Sequence, residues 1–259
     1  MLFVLSPAKT LDFETPVPTR KATQPDFTAH SARLIEVLRD KTPAEIGQLM
    51  SISDPLAALN VARFQAWSPE FTEANSRQAI FAFMGDVYEG LNAATLDGKT
   101  LERAQQKLRI LSGLYGLLRP LDRMQPYRLE MGTRLANPGG KNLYEFWGDT
   151  ITEALNAELA AQKSPVLVNL ASDEYFKSVK PKKLKARLVE CVFEDYKNGK
   201  YKIISFYAKR ARGLMARFAL QHRIDKVDGL RDFDVEGYRY EAEVSSTDTL
   251  VFRRALAGA

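Results

Sequence analysis

The chain has 259 residues, 45% hydrophobic and 27% charged, the usage of an ordinary globular protein with enough length to bury a core unaided. No window approaches about 18 consecutive apolar residues, which argues against a transmembrane helix, and the opening Met1–Leu5 run meets Ser6-Pro7 too soon to read as a secretory signal. One cysteine and two histidines cannot supply the roughly four nitrogen or sulfur ligands of a zinc or iron–sulfur centre, and a lone cysteine fits a reducing cytoplasm.

In chain order, short β-branched or aromatic runs bounded by polar turns predict strands at Leu2–Leu5, Ala79–Phe83, Leu108–Leu111, Val166–Leu170, Ala186–Glu194, Tyr201–Phe206, Tyr238–Val244 and Thr249–Arg253. Between them, one-sided apolar spacing predicts helices over Phe27–Leu38, Leu143–Leu159 and Ala208–Gln221. His30 reads as a surface residue ahead of the first helical pattern, and His222 falls at the end of the last. Pro16-Val17-Pro18-Thr19-Arg20 fits neither element, because each proline fixes its own φ and restricts its predecessor, and is expected to be an ordered surface loop. Thr42-Pro43-Ala44-Glu45 carries a capping residue, a proline at the first helical position and a capping-box glutamate. That helix runs to about Met50, and a second starts at Asp54-Pro55 and reaches Trp67. Asn198-Gly199 predicts a two-residue hairpin turn, and the last two strands read as a second hairpin. Strands alternating with helices early in the chain imply parallel pairing with right-handed crossovers. The expected fold is therefore mixed α/β. It is a single domain over 1–259 with a central, partly parallel sheet flanked by helices and a helix-hairpin-helix-like element at about 43–67.

Charge is uneven. Between Lys177 and Arg223 there are 14 Lys/Arg against 3 Asp/Glu, a balance of +11, so the rest of the chain sums to −6 within a net +5. Such asymmetry points to an anionic partner. The tract Lys209-Arg210-Ala211-Arg212 through Arg217 is mostly arginine, which suits bidentate phosphate contact. Five predicted strands each end in small residues mixed with Ser, Tyr, Lys, Arg or Glu: after Leu5, Phe83, Leu111, Leu170 and Phe206. Ligands of open α/β sheets bind beyond such carboxyl ends. Parallel strands would gather Ser6, Lys9, Arg119, Arg128, Ser172, Lys177, Lys209, Arg210, Arg212 and Arg217 around one cationic, phosphate-binding trough. Lys9, Tyr115, Glu174 and Lys209 are the candidates for acid–base work there. No Walker A, complete dinucleotide fingerprint or Gly-x-Ser-x-Gly elbow is present. Cys191, within the apolar run Leu188–Phe193, reads as an inert buried thiol.

The two short helices joined by Ser51-Ile52-Ser53 resemble a helix-hairpin-helix, a module that grips a DNA phosphate, although Ser51 and Ser53 stand where glycines are usual. On a larger scale, Ser6-Pro7-Ala8-Lys9-Thr10-Leu11-Asp12, the run Leu111–Asp122, the run Met124–Thr133, Asn169-Leu170-Ala171-Ser172 and Ala211–Arg217 resemble the YaaA family of bacterial peroxide stress resistance proteins over nearly the whole chain. The resemblance implies a cytosolic protein that lowers unincorporated iron and limits peroxide damage to DNA and proteins. It also implies binding of double-stranded or structured DNA in a cationic cleft, with no cofactor. An enzyme acting on a nucleotide, nucleobase or nucleic acid in the same cleft is the alternative, and a small anionic ligand is a further expected partner. Direct iron binding through Asp86, Glu89 and Glu174 would be weak, since three carboxylates without histidine hold iron poorly. No stable metal site and no membrane partner are expected.

Overall fold

A computed structural model describes residues 1–162 and 165–255. Its main sheet has eight strands: β1 (Leu2–Leu5), β2 (Leu108–Ser112), β3 (Gly116–Leu118), β4 (Val166–Leu170), β5 (Arg187–Lys197), β6 (Lys200–Lys202), β7 (Arg239–Tyr240) and β8 (Thr249–Arg254). The order is β7-β8-β5-β4-β1-β2-β3, with β6 paired to β5. Five strands, β8, β5, β4, β1 and β2, run parallel, whereas β3, β6 and β7 pair antiparallel with their neighbours. β1 is buried along its whole length, as a central parallel strand covered on both faces must be.

The principal helices are α1 (Thr28–Arg39), α2 (Pro43–Met50), α3 (Asp54–Ala66), α4 (Asp86–Leu91), α5 (Gly98–Lys107), α6 (Thr150–Ala160) and α7 (Ser205–Gln221). The capping box at α2 forms as expected: Thr42 Oγ1 accepts from the Glu45 amide at 3.3 Å, and the Glu45 carboxylate accepts from the Thr42 amide at 2.8 Å. α2 ends at Ser51, held in the left-handed region at φ 51°, and α3 begins three residues later. α7 lies against β5 and touches β1 and β4. It crosses α4 at very short range: a Cβ on Gly213 would sit 1.8 Å from the Val87 carbonyl oxygen, and one on Gly90 would sit 2.2 Å from that of Arg210. The crossing needs glycine on both helices.

Several sequence expectations are corrected. Ala79–Ala82 forms one buried helical turn rather than a strand, and only Phe83–Met84 extends, pairing with Thr10–Leu11. All four residues of the turn are buried, so no polar face marked its period. The expected helix over Leu143–Leu159 breaks at Gly148 (φ 49°) into Leu143–Trp147 and α6. Tyr201–Phe206 ceases to be a strand at Lys202, and α7 starts at Ser205. Tyr238–Val244 shrinks to β7 followed by a 3-10 turn at Ala242–Val244. The Asn198-Gly199 hairpin forms, with φ values of 55° and 80° at its two turn residues. His30 is half-buried, stacked on Trp147 with ring centroids 5.5 Å apart, and burial lowers its pKa.

A candidate anion site at the sheet's switch point

From β1 the chain moves outward to β2, then crosses back over β1 to β4 and continues to β5 and β8. The crevice between the carboxyl ends of β1 and β4 is therefore the topological switch point, where open α/β sheets bind ligands. Ser6 and Ser172 close it at the bottom. Ser6 Oγ accepts from the Ser172 amide at 2.9 Å and donates to Ser172 Oγ at 3.2 Å. Tyr88, on α4, donates its phenol proton to the Ser6 carbonyl at 3.0 Å.

Two groups of charged residues flank this serine pair. On one side, Lys9 and Arg128 both reach Glu130, at 2.7 and 3.1 Å. The Glu174 carboxylate accepts from the Gly132 amide at 2.9 Å, which ties the β4 end to the same loop. Arg128 Nε is buried and has no partner among the described residues. On the other side is a cavity of about 340 Å³ lined by Asn169, Ser172, Asp173, Lys209 and Arg212, with Ser205 at the start of α7. Arg212 is half-buried and makes no hydrogen bond or ion pair among the described residues. Burial lowers its pKa, and Asp173 nearby opposes that shift. Exposed Ile203 also lines the cavity. The crevice can thus hold an oxyanion between fixed hydroxyls and the Arg212 guanidinium.

The remaining sequence candidates are placed as follows. Lys177 lies over the Tyr144 ring at 4.9 Å, beside the Glu174 carbonyl that Tyr144 holds at 2.8 Å. Arg210 turns away to grip Glu236 at 2.6 Å. Arg217 donates to the Leu91 and Asn92 carbonyls at 3.0 and 2.9 Å and so caps α4. Arg119 is spent on Asp122 and Asp26, each at 3.0 Å. Tyr115 is in the core with no exposed surface, bonded to Trp67 Nε1 and the Gln125 backbone, and burial raises its phenol pKa far above the ordinary value. It is not a group for acid–base work. Ser51 and Ser53 are exposed in their hairpin and share no hydrogen bond or cavity with the strand-end residues. The expected cationic trough is thus a smaller site of mixed charge: Lys9, Arg128, Lys209 and Arg212 remain in it, together with Glu130, Asp173 and Glu174.

Glu130, Asp173 and Gly132 were not singled out from the sequence. An alternation signal existed for Glu130: in an extended segment, Arg128 and Glu130 fall on one side. Asp86 and Glu89 face Arg210 rather than Glu174, and no cluster of three or more metal-ligating side chains occurs among the described residues. Nor is any helix among them long and apolar enough to cross a membrane.

Cys191 also borders this cavity, yet only 5% of its surface is exposed and burial pushes its thiol pKa up to about 12. The thiolate is the reactive species, and at pH 8 only about one thiol in ten thousand would ionise at such a pKa. Native protein is therefore expected to resist iodoacetamide at pH 8 for hours, whereas urea-unfolded protein is alkylated within minutes. Mass spectrometry reads the difference, and equal labelling of the two states would contradict the burial.

A family model described as peroxide stress protein YaaA matches residues 1–244. A UPF0246 protein of Paracidovorax citrulli is 64% identical over 259 residues, spanning the whole of both chains. One from Ralstonia nicotianae is 65% identical over 257 residues, covering 99% of this chain and all of its own. Another, from Bordetella petrii, is 62% identical over 254 residues, covering 98% of this chain and 99% of its own.

Proposed function

The chain belongs to the peroxide stress protein YaaA family, and on that premise we propose that it binds nucleic-acid phosphates at the switch point and thereby protects DNA and proteins during peroxide stress. The observation that carries this reading is the placing of Arg212, which makes no hydrogen bond or ion pair among the described residues, beside Lys209 in a cavity lined by Ser172. A half-buried arginine that has Asp173 near it but makes no ion pair with it is only partly compensated, and a phosphate supplies the direct contact. Lowering of unincorporated iron then works indirectly, through nucleic acid or a small anionic metabolite. One cysteine and two histidines offer no tight chelating set.

The hairpin between α2 and α3 contributes less in this reading. Asp54 occupies the first turn of α3, placing a carboxylate where a phosphate would approach the helix N-terminus. The test is therefore aimed at α7. The logarithm of DNA affinity should fall linearly with log salt, and replacing both Lys209 and Arg212 by glutamine should flatten the slope by about 1.8, two phosphates at roughly 0.9 each. Fluorescence anisotropy across a salt series measures it, and an unchanged slope refutes this placement. Arg210→Gln is the control, because that side chain is committed to Glu236.

A second reading, an enzyme acting on a nucleotide, is favoured by one observation: the Glu174 carboxylate and the Lys9–Glu130 pair sit on loops joined through Gly132, beside the same serine floor. In that case Lys9→Ala or Glu174→Ala abolishes turnover of a phosphate-bearing substrate with the fold intact. Turnover that survives both substitutions rules those residues out.

A further inference from the structure

A second cavity, of about 670 Å³, shares no lining residue with the switch point. Its walls are the Pro16–Arg20 loop, the end of α3, the stretch 73–78 and the chain at Arg123. That loop is ordered by side chains behind it: Gln78 donates to the Thr19 and Lys21 carbonyls, both at 3.0 Å, and Arg77 donates to the Thr15 carbonyl.

Four arginines, Arg20, Arg63, Arg77 and Arg123, face this space against two carboxylates, Glu14 and Glu73. Their protein partners do not satisfy them. Arg123 meets Glu73 at 3.3 Å, but Glu73 is 72% exposed, so the pair is weak; its other contact is the Ser76 carbonyl at 3.4 Å. Arg77, whose side chain is only 10% exposed, has its nearest carboxylate, Asp12, at 3.9 Å, and its Nε is buried with no partner among the described residues. Arg63 is half-buried, with only the Asn60 amide oxygen at 3.4 Å among the described residues, and desolvation lowers its pKa. Among the described residues neither Arg63 nor Arg20 forms an ion pair. Guanidinium groups gathered in a concave, partly desolvated space without matching carboxylates lack a counter-ion. Their planar forks match phosphoryl oxygens, and the volume is that of a site for a nucleotide-sized molecule.

We propose that this cavity is a second anion site that takes a diphosphate, free or carried on a nucleoside, with Arg63 and Arg77 as its principal contacts and Arg20 closing from the loop. It is independent of the reading at the switch point. Titration calorimetry of the full chain at low salt, with inorganic pyrophosphate and with ADP, tests it. Binding of either is expected, with Arg63→Gln and Arg20→Gln each weakening it by about ten-fold, the loss of one charge-assisted contact, while Arg231→Gln, which removes a surface cation that lines neither cavity, leaves it unchanged. ADP binding more tightly than pyrophosphate assigns the nucleoside form, and the reverse assigns the free diphosphate. Absence of heat with both ligands overturns the proposal, as does wild-type binding by both arginine variants. Loss of binding in Lys209→Gln also overturns it, since that places the anion at the switch point.

Discussion

Gly213→Ala is expected to lower stability by about 3 kcal/mol or more, at the upper end of overpacking effects, equivalent to a fall in melting temperature of roughly 6–12 °C for a chain of this size. The new methyl would lie 1.8 Å from the Val87 carbonyl oxygen and 2.8 Å from the Leu91 amide nitrogen. Both obstacles are backbone within α4, so no rotamer change relieves them and the helices must separate. Separation exposes the packed faces around Ala211, Leu214 and Met215, all buried. It also moves both walls of the candidate site, since α4 carries the Tyr88 that holds Ser6 and α7 carries Lys209 and Arg212. Gly98→Ala is the matched control: a Cβ there meets nothing within 4 Å, and alanine is the better helix former by up to about 1 kcal/mol. Differential scanning calorimetry of the two variants decides the matter. If Gly213→Ala melts alongside Gly98→Ala, the close crossing of α4 and α7 is wrong.

This crossing also marks the limit of what the sequence makes legible. Elements whose signals are local were readable: the apolar β1 beside Ser6-Pro7, the Thr42–Glu45 capping box and the Asn198-Gly199 turn each follow from neighbouring residues. Ala79–Ala82 was misread because a segment buried on every side has no amphipathic period to betray its conformation. The break at Gly148 lay inside an apolar pattern that continues smoothly on both sides, with only one glycine to mark it.

The site divides along the same line. Ser6 and Ser172 were found because a polar residue directly after a parallel strand has a predictable place. Lys209 and Arg212 reach the crevice on the late helix where they were expected, although that helix starts at Ser205 rather than Ala208. Arg210 was misplaced because Glu236, which neutralises it, lies 26 residues away in sequence. Arg119 shows both cases: Asp122 is three residues away and legible, whereas Asp26 is 93 away and is not. Tyr115 stood among Leu114, Leu117 and Leu118, an apolar setting that already favoured the core over the crevice.

Asp195→Ala should cost about 3–5 kcal/mol, the loss seen when one member of a buried ion pair is removed. Arg254 and Asp195 face each other across β8 and β5, joined at 2.7 Å, with side chains only 6% and 2% exposed. Tyr238 donates to the second carboxylate oxygen at 2.8 Å, and burial raises that phenol's pKa, which favours the protonated, donating form. The guanidinium lies between two rings, 4.3 Å from Tyr238 and 4.8 Å from Tyr207. Without Asp195 the nearest carboxylate left to Arg254 is Glu236 at 3.7 Å, already engaged by Arg210, and the charge is left in a low-dielectric pocket. The penalty belongs to the stranded charge rather than to the pair as such. The double variant Asp195→Leu/Arg254→Met is therefore expected to recover most of the loss, because apolar replacement of a whole buried pair is often neutral. Urea unfolding monitored by tryptophan fluorescence compares the three proteins. A single variant within about 1 kcal/mol of wild type would place the pair in solvent, and a double variant as weak as the single would mean that packing of the two rings, not charge, sets the stability here.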